Sequence, residues 1–356
     1  MLLTVLLLGL AADPVKVPLS QKPHRPAIAD MNADGHPDLV VGCNRAVIVA
    51  LNDGKGNFRE TSRLDLTGNP TELAFDDFNA DSKMDVAFAD HDTLAVVVLA
   101  GDGRGGLQRL GMTKVRKTGK PHIHGLLAGD WNGDRKPDVV HFNIGEGEMT
   151  LLTGDGRGEL SPVKAIGVNH PNNPVRADVN RDGLPDLIVP STEKGELNIF
   201  LGDGKGGFAP GPGSPYRMLQ RPYYSATGDL NGDGFLDIAV THDDIEQMIV
   251  LLGDGSGRFR PMPGGPVALG ALAWGIEIVD VNRDKRPDIV AANGSEFLIL
   301  LQTADGKLLP PQKIPKPAID NWRVATADLN GDGHVDLVDV DSKSLMVRIF
   351  YGPVTH

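Results

Sequence analysis

The chain has 356 residues, more than one ordinary hydrophobic core supports, so it is either two domains or a repeat array. Its formal charge of −12 is concentrated in seven short loops that hold 21 Asp; the rest of the chain has 26 acids against 35 Lys and Arg. Neither an acidic tail nor a long basic cluster is present, which argues against a nucleic-acid partner, and the single cysteine, Cys43, excludes an internal disulfide and reads as an inert small hydrophobe.

Residues 1–12 are uncharged and apolar and run straight into Asp13-Pro14. Twelve residues are too few to cross a bilayer as a helix, so no transmembrane segment is expected. They suit the apolar part of a secretory signal cleaved near Ala11 or Ala12, although the basic amino-terminal region is reduced to the α-amine. The alternative is a buried first strand. On the signal reading residues 13–356 form the mature protein, secreted, periplasmic or held at the cell surface. Val15-Lys16-Val17-Pro18-Leu19 then reads as a strand with nothing of its own to pair with.

From residue 30 onward one nine-residue pattern recurs seven times. Its positions 1, 3, 5 and 9 read Asp30/Asn32/Asp34/Asp38, Asp77/Asn79/Asp81/Asp85, Asp130/Asn132/Asp134/Asp138 and Asp178/Asn180/Asp182/Asp186. The last three copies read Asp229/Asn231/Asp233/Asp237, Asp280/Asn282/Asp284/Asp288 and Asp328/Asn330/Asp332/Asp336. Hard cations such as Ca²⁺ need six to eight oxygens together, and alternate residues of a tight turn can supply them. Up to seven structural Ca²⁺ are therefore expected. Position 6 is glycine in four copies, but Ser82, Arg135 and Lys285 replace it in the second, third and sixth, which should bind calcium more weakly. An EF-hand would need flanking helices and an acid at position 12, where Val41, Phe88, His141, Val189, Val240, Ala291 and Asp339 stand. Plain Asx-turns without metal are the simpler alternative, at the cost of clustering unneutralised carboxylates.

Ahead of each loop sits a strand of small residues such as Ala27-Ile28-Ala29, and after it a β-branched strand such as Asp186-Leu187-Ile188-Val189. Position 2 of the loop is always apolar, which assigns Met31, Phe78, Trp131, Val179, Leu230, Val281 and Leu329 to the core. A second turn follows, as in Gly202-Asp203-Gly204-Lys205-Gly206-Gly207-Phe208, whose Asp-Gly supplies the positive φ of a tight hairpin. Loop starts are 47, 53, 48, 51, 51 and 48 residues apart, the spacing of four-stranded propeller blades. The seventh repeat ends after two further strands, at 337–340 and 345–351, so the strand at Val15–Leu19 is expected to close the ring as its fourth.

The paired turns, Asp-x-Asn-x-Asp-Gly-x-x-Asp and Gly-Asp-Gly-x-Gly-x-Phe, resemble FG-GAP/VCBS repeats over nearly the whole chain after residue 13. The resemblance implies an all-β, seven-bladed propeller like that of the integrin α-subunit head, with calcium in the loop between first and second strands. It says much less about function, because such folds host adhesion modules, lectins and enzymes.

At the ring end opposite the acidic loops, the inner strands begin and the turns after the second strands lie. The candidate ligand residues there are His24, Arg25, His122, His124, Tyr223, Tyr224, Trp274, Trp322, Arg323, His242 and Asp243. Tyr223, Tyr224, Trp274 and Trp322 come from three consecutive blades and are expected to form one aromatic wall, with Arg323, His24 and Arg25 beside it to meet an acidic glycan. The expected activity is that of a monomeric binding or adhesion module for a glycan or protein. The alternative is a polysaccharide lyase or glycosidase using His and acid residues of this face. No nucleophile motif or arranged triad supports that alternative, and no third ligand beside His122 and His124 supports zinc.

Overall fold

The computed structural model describes residues 13–115, 122–319 and 323–352. Seven antiparallel sheets follow one another along the chain, each running outward from its first strand to its fourth. Blade 1 is typical, with strands Pro23–Ala29, Asp38–Cys43, Ala46–Asn52 and Phe58–Asp65. The fold is the expected seven-bladed propeller. The described residues include no helix long and apolar enough to cross a membrane, and the leader expected at residues 1–12 lies outside them.

Val15–Pro18 pairs antiparallel with Met346–Phe350, from Val15 opposite Ile349 to Pro18 opposite Met346. The N-terminal strand thus supplies the fourth strand of blade 7, and Val17 and Leu19 enter that blade's core. Beside this seam Asp339 accepts from Arg348 Nε at 2.7 Å and Nη2 at 2.6 Å, and from Lys316 Nζ at 2.7 Å. All three side chains are buried. The ion triad fastens the segment between blades 6 and 7 to the blade that closes the ring.

Apolar residues on both faces of each blade form clusters between neighbouring blades. The position-2 residues of all seven acidic loops are buried there, Trp131 included, its ring 5.6 Å from that of Phe208. Cys43 is buried in its strand, and burial pushes its thiol up to about 12, which keeps it protonated and unreactive. The outer edges of blades 4 and 5 differ from the rest. Their fourth strands are interrupted, Phe208–Pro210 being followed by Tyr216–Arg217 and Phe259–Pro261 by Val267–Ala268.

Candidate functional site

The acidic loops are organised alike. In every loop the position-6 N–H donates to the first Asp, as Gly35 does to Asp30 at 2.9 Å and Lys285 to Asp280 at 2.7 Å. The position-7 N–H donates to the position-5 Asp, as from His36 to Asp34 at 2.8 Å. Position 6 has positive φ throughout: 65° at Ser82, 67° at Arg135 and 68° at Lys285, against 80–85° at the glycines. The three exceptions therefore accept a left-handed backbone rather than reshape the loop. Position 4 is left-handed too, at Ala33, Ala80, Gly133, Arg181, Gly232, Arg283 and Gly331.

The position-5 N–H donates to the Asn two residues before it. Asn32 accepts from Asp34 at 3.1 Å, Asn79 from Asp81 at 2.9 Å, Asn132 from Asp134 at 2.8 Å and Asn180 from Asp182 at 3.1 Å. Asn231 accepts from Asp233 at 2.8 Å, Asn282 from Asp284 at 3.0 Å and Asn330 from Asp332 at 3.1 Å. The amide nitrogens of Asn32, Asn180, Asn231, Asn282 and Asn330 in turn donate to the Asp of the same pair at 2.8–3.0 Å. Asn132 differs, its amide lying 3.5 Å from Asp138 Oδ1. Asp81 is also paired with Lys83 Nζ at 3.2 Å, and Asp284 with Arg286.

The last Asp has a second task. All seven are fully buried. Asp237 accepts the Leu230 N–H at 2.8 Å and the Gly253 N–H at 2.9 Å, tying the loop to the end of the third strand. The same pair of bonds recurs at Asp38, Asp138, Asp186, Asp288 and Asp336. Gly253 is glycine because a Cβ there would lie 2.2 Å from the Leu236 carbonyl oxygen. Only Asp85 keeps one oxygen, Oδ2, without a partner. Burial, reinforced by the other loop carboxylates, pushes Asp85, Asp186, Asp237, Asp288 and Asp336 up to about 6 and raises Asp38 and Asp138.

The donor set is oxygen only, three carboxylates and an amide per loop, which suits a hard cation in kind. Among the described residues no three acidic or imidazole side chains already stand together as a cage. The pairs Asn32/Asp34, Asn79/Asp81, Asn132/Asp134, Asn180/Asp182, Asn231/Asp233, Asn282/Asp284 and Asn330/Asp332 instead serve as acceptors for their own turn. The physical reason is local: a loop this tight closes few backbone–backbone bonds, so its N–H groups take the nearest side-chain oxygens. Spare lone pairs remain on the half-buried first Asp and on the mostly exposed position-5 Asp.

At the opposite end the residues divide into two groups. His122, Tyr223, Asp243 and Trp274 surround a hollow of about 310 Å³ together with His170, Asn172 and Arg221. Arg221 grips Asp243 through Nε and Nη2, both at 2.8 Å, and Trp274 Nε1 donates to the Asp243 carbonyl oxygen at 3.2 Å. His122 meets His91 edge to face with ring centres 5.7 Å apart, and burial first, then the neighbouring His91 and His170, lowers its pKa. Asn172 is 1% exposed; its amide donates to Thr192 Oγ1 at 2.6 Å, and its Oδ1 has no partner. With Arg221 and Asp243 cancelling and His122 held neutral, the hollow is polar without net charge from these groups.

The second group closes the central channel. Glu72 accepts from Arg25 Nη1 at 2.5 Å and Arg323 Nη1 at 2.8 Å, and Arg323 also reaches Asn173 Oδ1 at 2.8 Å. The Arg323 guanidinium lies 5.2 Å from the centre of the Tyr224 ring, whose hydroxyl pKa burial raises. Of the expected aromatic wall, Tyr223 and Tyr224 meet edge to face with ring centres 5.2 Å apart, Tyr223 lining the hollow and Tyr224 the channel. Arg25 and Arg323 share the single Glu72 carboxylate, so the trio keeps one net positive charge. His24, beside them, is half-buried, and burial lowers its pKa. His242 does not face the hollow at all: it is buried, with Nδ1 3.1 Å from the Gln247 carbonyl oxygen. Trp322 lies outside the described residues, as does the side chain of His124.

Bulges explain these departures. The register of the inner strand slips between Pro23 and Arg25, Pro70 and Leu73, Ile123 and Leu126, and Pro222 and Tyr224. His24, Thr71, His124 and Tyr223 sit in those slips, where an extra residue re-aims its neighbours. Arg221 was missed because it precedes the strand, and only its contact with Asp243 across the blade reveals it.

The family model of the FG-GAP-like repeat matches residues 30–87, 77–141, 130–189, 178–240, 229–291 and 280–338. No curated protein matches the chain by sequence. Among solved structures, BBS1N in complex with ARL6DN superposes at TM-score 0.66 with 12% identity, covering 97% of this chain and 99% of that one. An Agrocybe aegerita lectin that recognises non-reducing terminal N-acetylglucosamine gives 0.56 at 19% identity over 83% and 80%. A protein from Lactobacillus plantarum gives 0.58 at 15% over 88% and 93%.

Proposed function

The chain belongs to the FG-GAP-like repeat family, and from that premise we propose that it is an exported, calcium-stabilised binding module that takes a neutral, hydroxyl-rich ligand, a sugar, in the hollow beside Tyr223 and Trp274. The observation that carries this reading is the hollow itself, where the rings of Tyr223 and Trp274 stand beside a fixed Arg221–Asp243 fork. Ring faces cover the apolar side of a pyranose, while the Arg221–Asp243 fork offers a donor and an acceptor to its hydroxyls. A lectin among the propellers of similar fold recognises a terminal amino sugar, which favours the same class.

In the acidic loops calcium would be held by the first, third and fifth residues with the buried ninth beside them. Bound there, it supplies positive charge that neutralises each cluster. The loop backbone itself is fixed by the N–H bonds to the same side chains.

Protein recognition is the second reading, favoured by the full-length similarity to BBS1N, which is in complex with ARL6DN. A glycan array probed with the parent protein, Trp274→Ala and Lys205→Ala tests both. A neutral glycan bound by the parent and Lys205→Ala but not by Trp274→Ala is the expected result. An array without a hit, or binding lost only on altering Lys205 at the loop end, overturns the sugar reading.

A further inference from the structure

Below the Arg25–Glu72–Arg323 closure the central channel contains a cavity of about 320 Å³, reached by the inner strands of all seven blades. Its walls divide about equally between polar surface and apolar side chains, Leu73, Leu126, Val175 and Ile276 among the latter. One ionisable side chain of this wall has no partner. Glu277 lines the cavity, lies deep within the ring, and has no donor or counter-charge in contact among the described residues. Every other carboxylate of the cavity is accounted for, since Glu72 is shared by two arginines.

We propose that this cavity is a second binding site, for a small organic ammonium whose charged head meets Glu277 and whose short carbon body fills the apolar remainder. An unpaired buried carboxylate calls for a donor-bearing cation, because the alternative is to lose its charge. The wall selects which cation. One free carboxylate is far short of the six to eight oxygens of Ca²⁺, and Mg²⁺ needs a near-ideal octahedron. A primary ammonium needs only a few acceptors and tolerates Leu and Val around its methylenes. A volume near 300 Å³ lies at the small end of ligand sites. Burial holds the Glu277 carboxyl up at about 7, consistent with a group that has lost water and gained no partner.

The test is isothermal titration of the full chain, at fixed calcium and pH 8, with n-butylammonium chloride, n-butanol and potassium chloride as separate probes. Butylammonium should bind, butanol and potassium should not, and Glu277→Gln should weaken butylammonium at least tenfold while leaving any glycan bound at the surface hollow unaffected. Should that variant fail to fold, the parent at pH 5 replaces it. Glu277 is then protonated, and butylammonium binding should fall by a similar factor. Equal binding of butanol would make the cavity a plain apolar void, and equal binding of potassium would make it an inorganic site. Either result overturns the proposal, as would no binding by the parent or undiminished binding by Glu277→Gln.

Discussion

At one end of the ring nine residues recur in every blade and make the same hydrogen bonds each time, while at the other the inner strands open on His24, Thr71, Asn172, Tyr223 and Trp274, each in its own setting. The repeated end is a fastening. Its apolar second residue enters the core, its ninth residue ties the loop to the third strand, and its neighbour blade is stitched on by bonds such as Gly206 N–H to the Trp131 carbonyl oxygen at 2.9 Å. The variable end is a collection of contacts between blades far apart in sequence, as Arg323 and Glu72 are, 251 residues apart. Repetition marks what every blade needs, and departure from it marks where a ligand can be told from another.

The largest expected effect tests whether the repeated end depends on metal. In chelator at pH 7 the melting temperature should fall by tens of degrees relative to calcium, since all seven clusters lose a counter-charge together. The pH dependence has a definite sign. Asp85, Asp186, Asp237, Asp288 and Asp336 have folded values near 6 against 3.8 when free, so the folded chain holds protons that the unfolded chain has released. Their contribution is fully present below pH 3.8 and is lost as pH rises through about 6. Without metal, stability should therefore decline between these values, and calcium should suppress the decline by favouring the charged form. Melting curves across that range, with and without calcium, check both points; coincident curves would remove metal from the account.

Next in size is Asp237→Ala. It leaves the Leu230 and Gly253 N–H groups buried without acceptors, and two such groups cost about 2–6 kcal/mol together. Denaturant melts should show that loss in calcium and in chelator alike, because the bonds go to backbone. At the other end Trp274→Ala should cost less in folding but about 2 kcal/mol or more in ligand affinity, measured by titration with whichever glycan the array returns. If Trp274→Ala damages folding more than Asp237→Ala does, the division between a fastening end and a recognising end fails.

Much of this was legible in the sequence because repetition averages out local ambiguity. Seven copies of Asp-x-Asn-x-Asp fixed the blade count, and an unpaired strand at Val15–Leu19 beside an incomplete seventh repeat located the seam. The second role of the ninth Asp was not legible, since a ligand pattern and a hydrogen-bond acceptor look alike in a string of letters. The same ambiguity hid the bonds that Asn231 and Asp233 accept from their own turn. Nor was the fate of Arg25 legible, which depends on Glu72 in the next blade, or of Tyr224, which lines the channel while Tyr223 beside it lines the hollow. Glu277 sat three residues before a loop, in a run that reads only as an inner strand.

The smallest effect concerns variation within the repeated end itself. Loops 5 and 7 place glycine at both left-handed positions, Gly232 with Gly234 and Gly331 with Gly333, whereas loops 2 and 6 place none, having Ala80 with Ser82 and Arg283 with Lys285. A residue with a Cβ in that conformation costs about 1–2 kcal/mol, and glycine returns part of the gain through its greater freedom when unfolded. Ser82→Gly and Lys285→Gly should each stabilise the chain by roughly 0.5–1 kcal/mol. The Ser82 and Lys285 N–H groups already bond the first Asp of their loops at 2.7 Å, so the substitutions change strain without changing the bonds. Gly234→Ala should move stability the other way by about 1 kcal/mol even though open space surrounds that site, because the penalty lies in the backbone and not in a clash. Chemical melts in chelator isolate this term from metal binding. A stabilising Ser82→Gly with a neutral Gly234→Ala would mean that the side chain at position 6, and not its left-handed backbone, separates the weaker loops from the stronger.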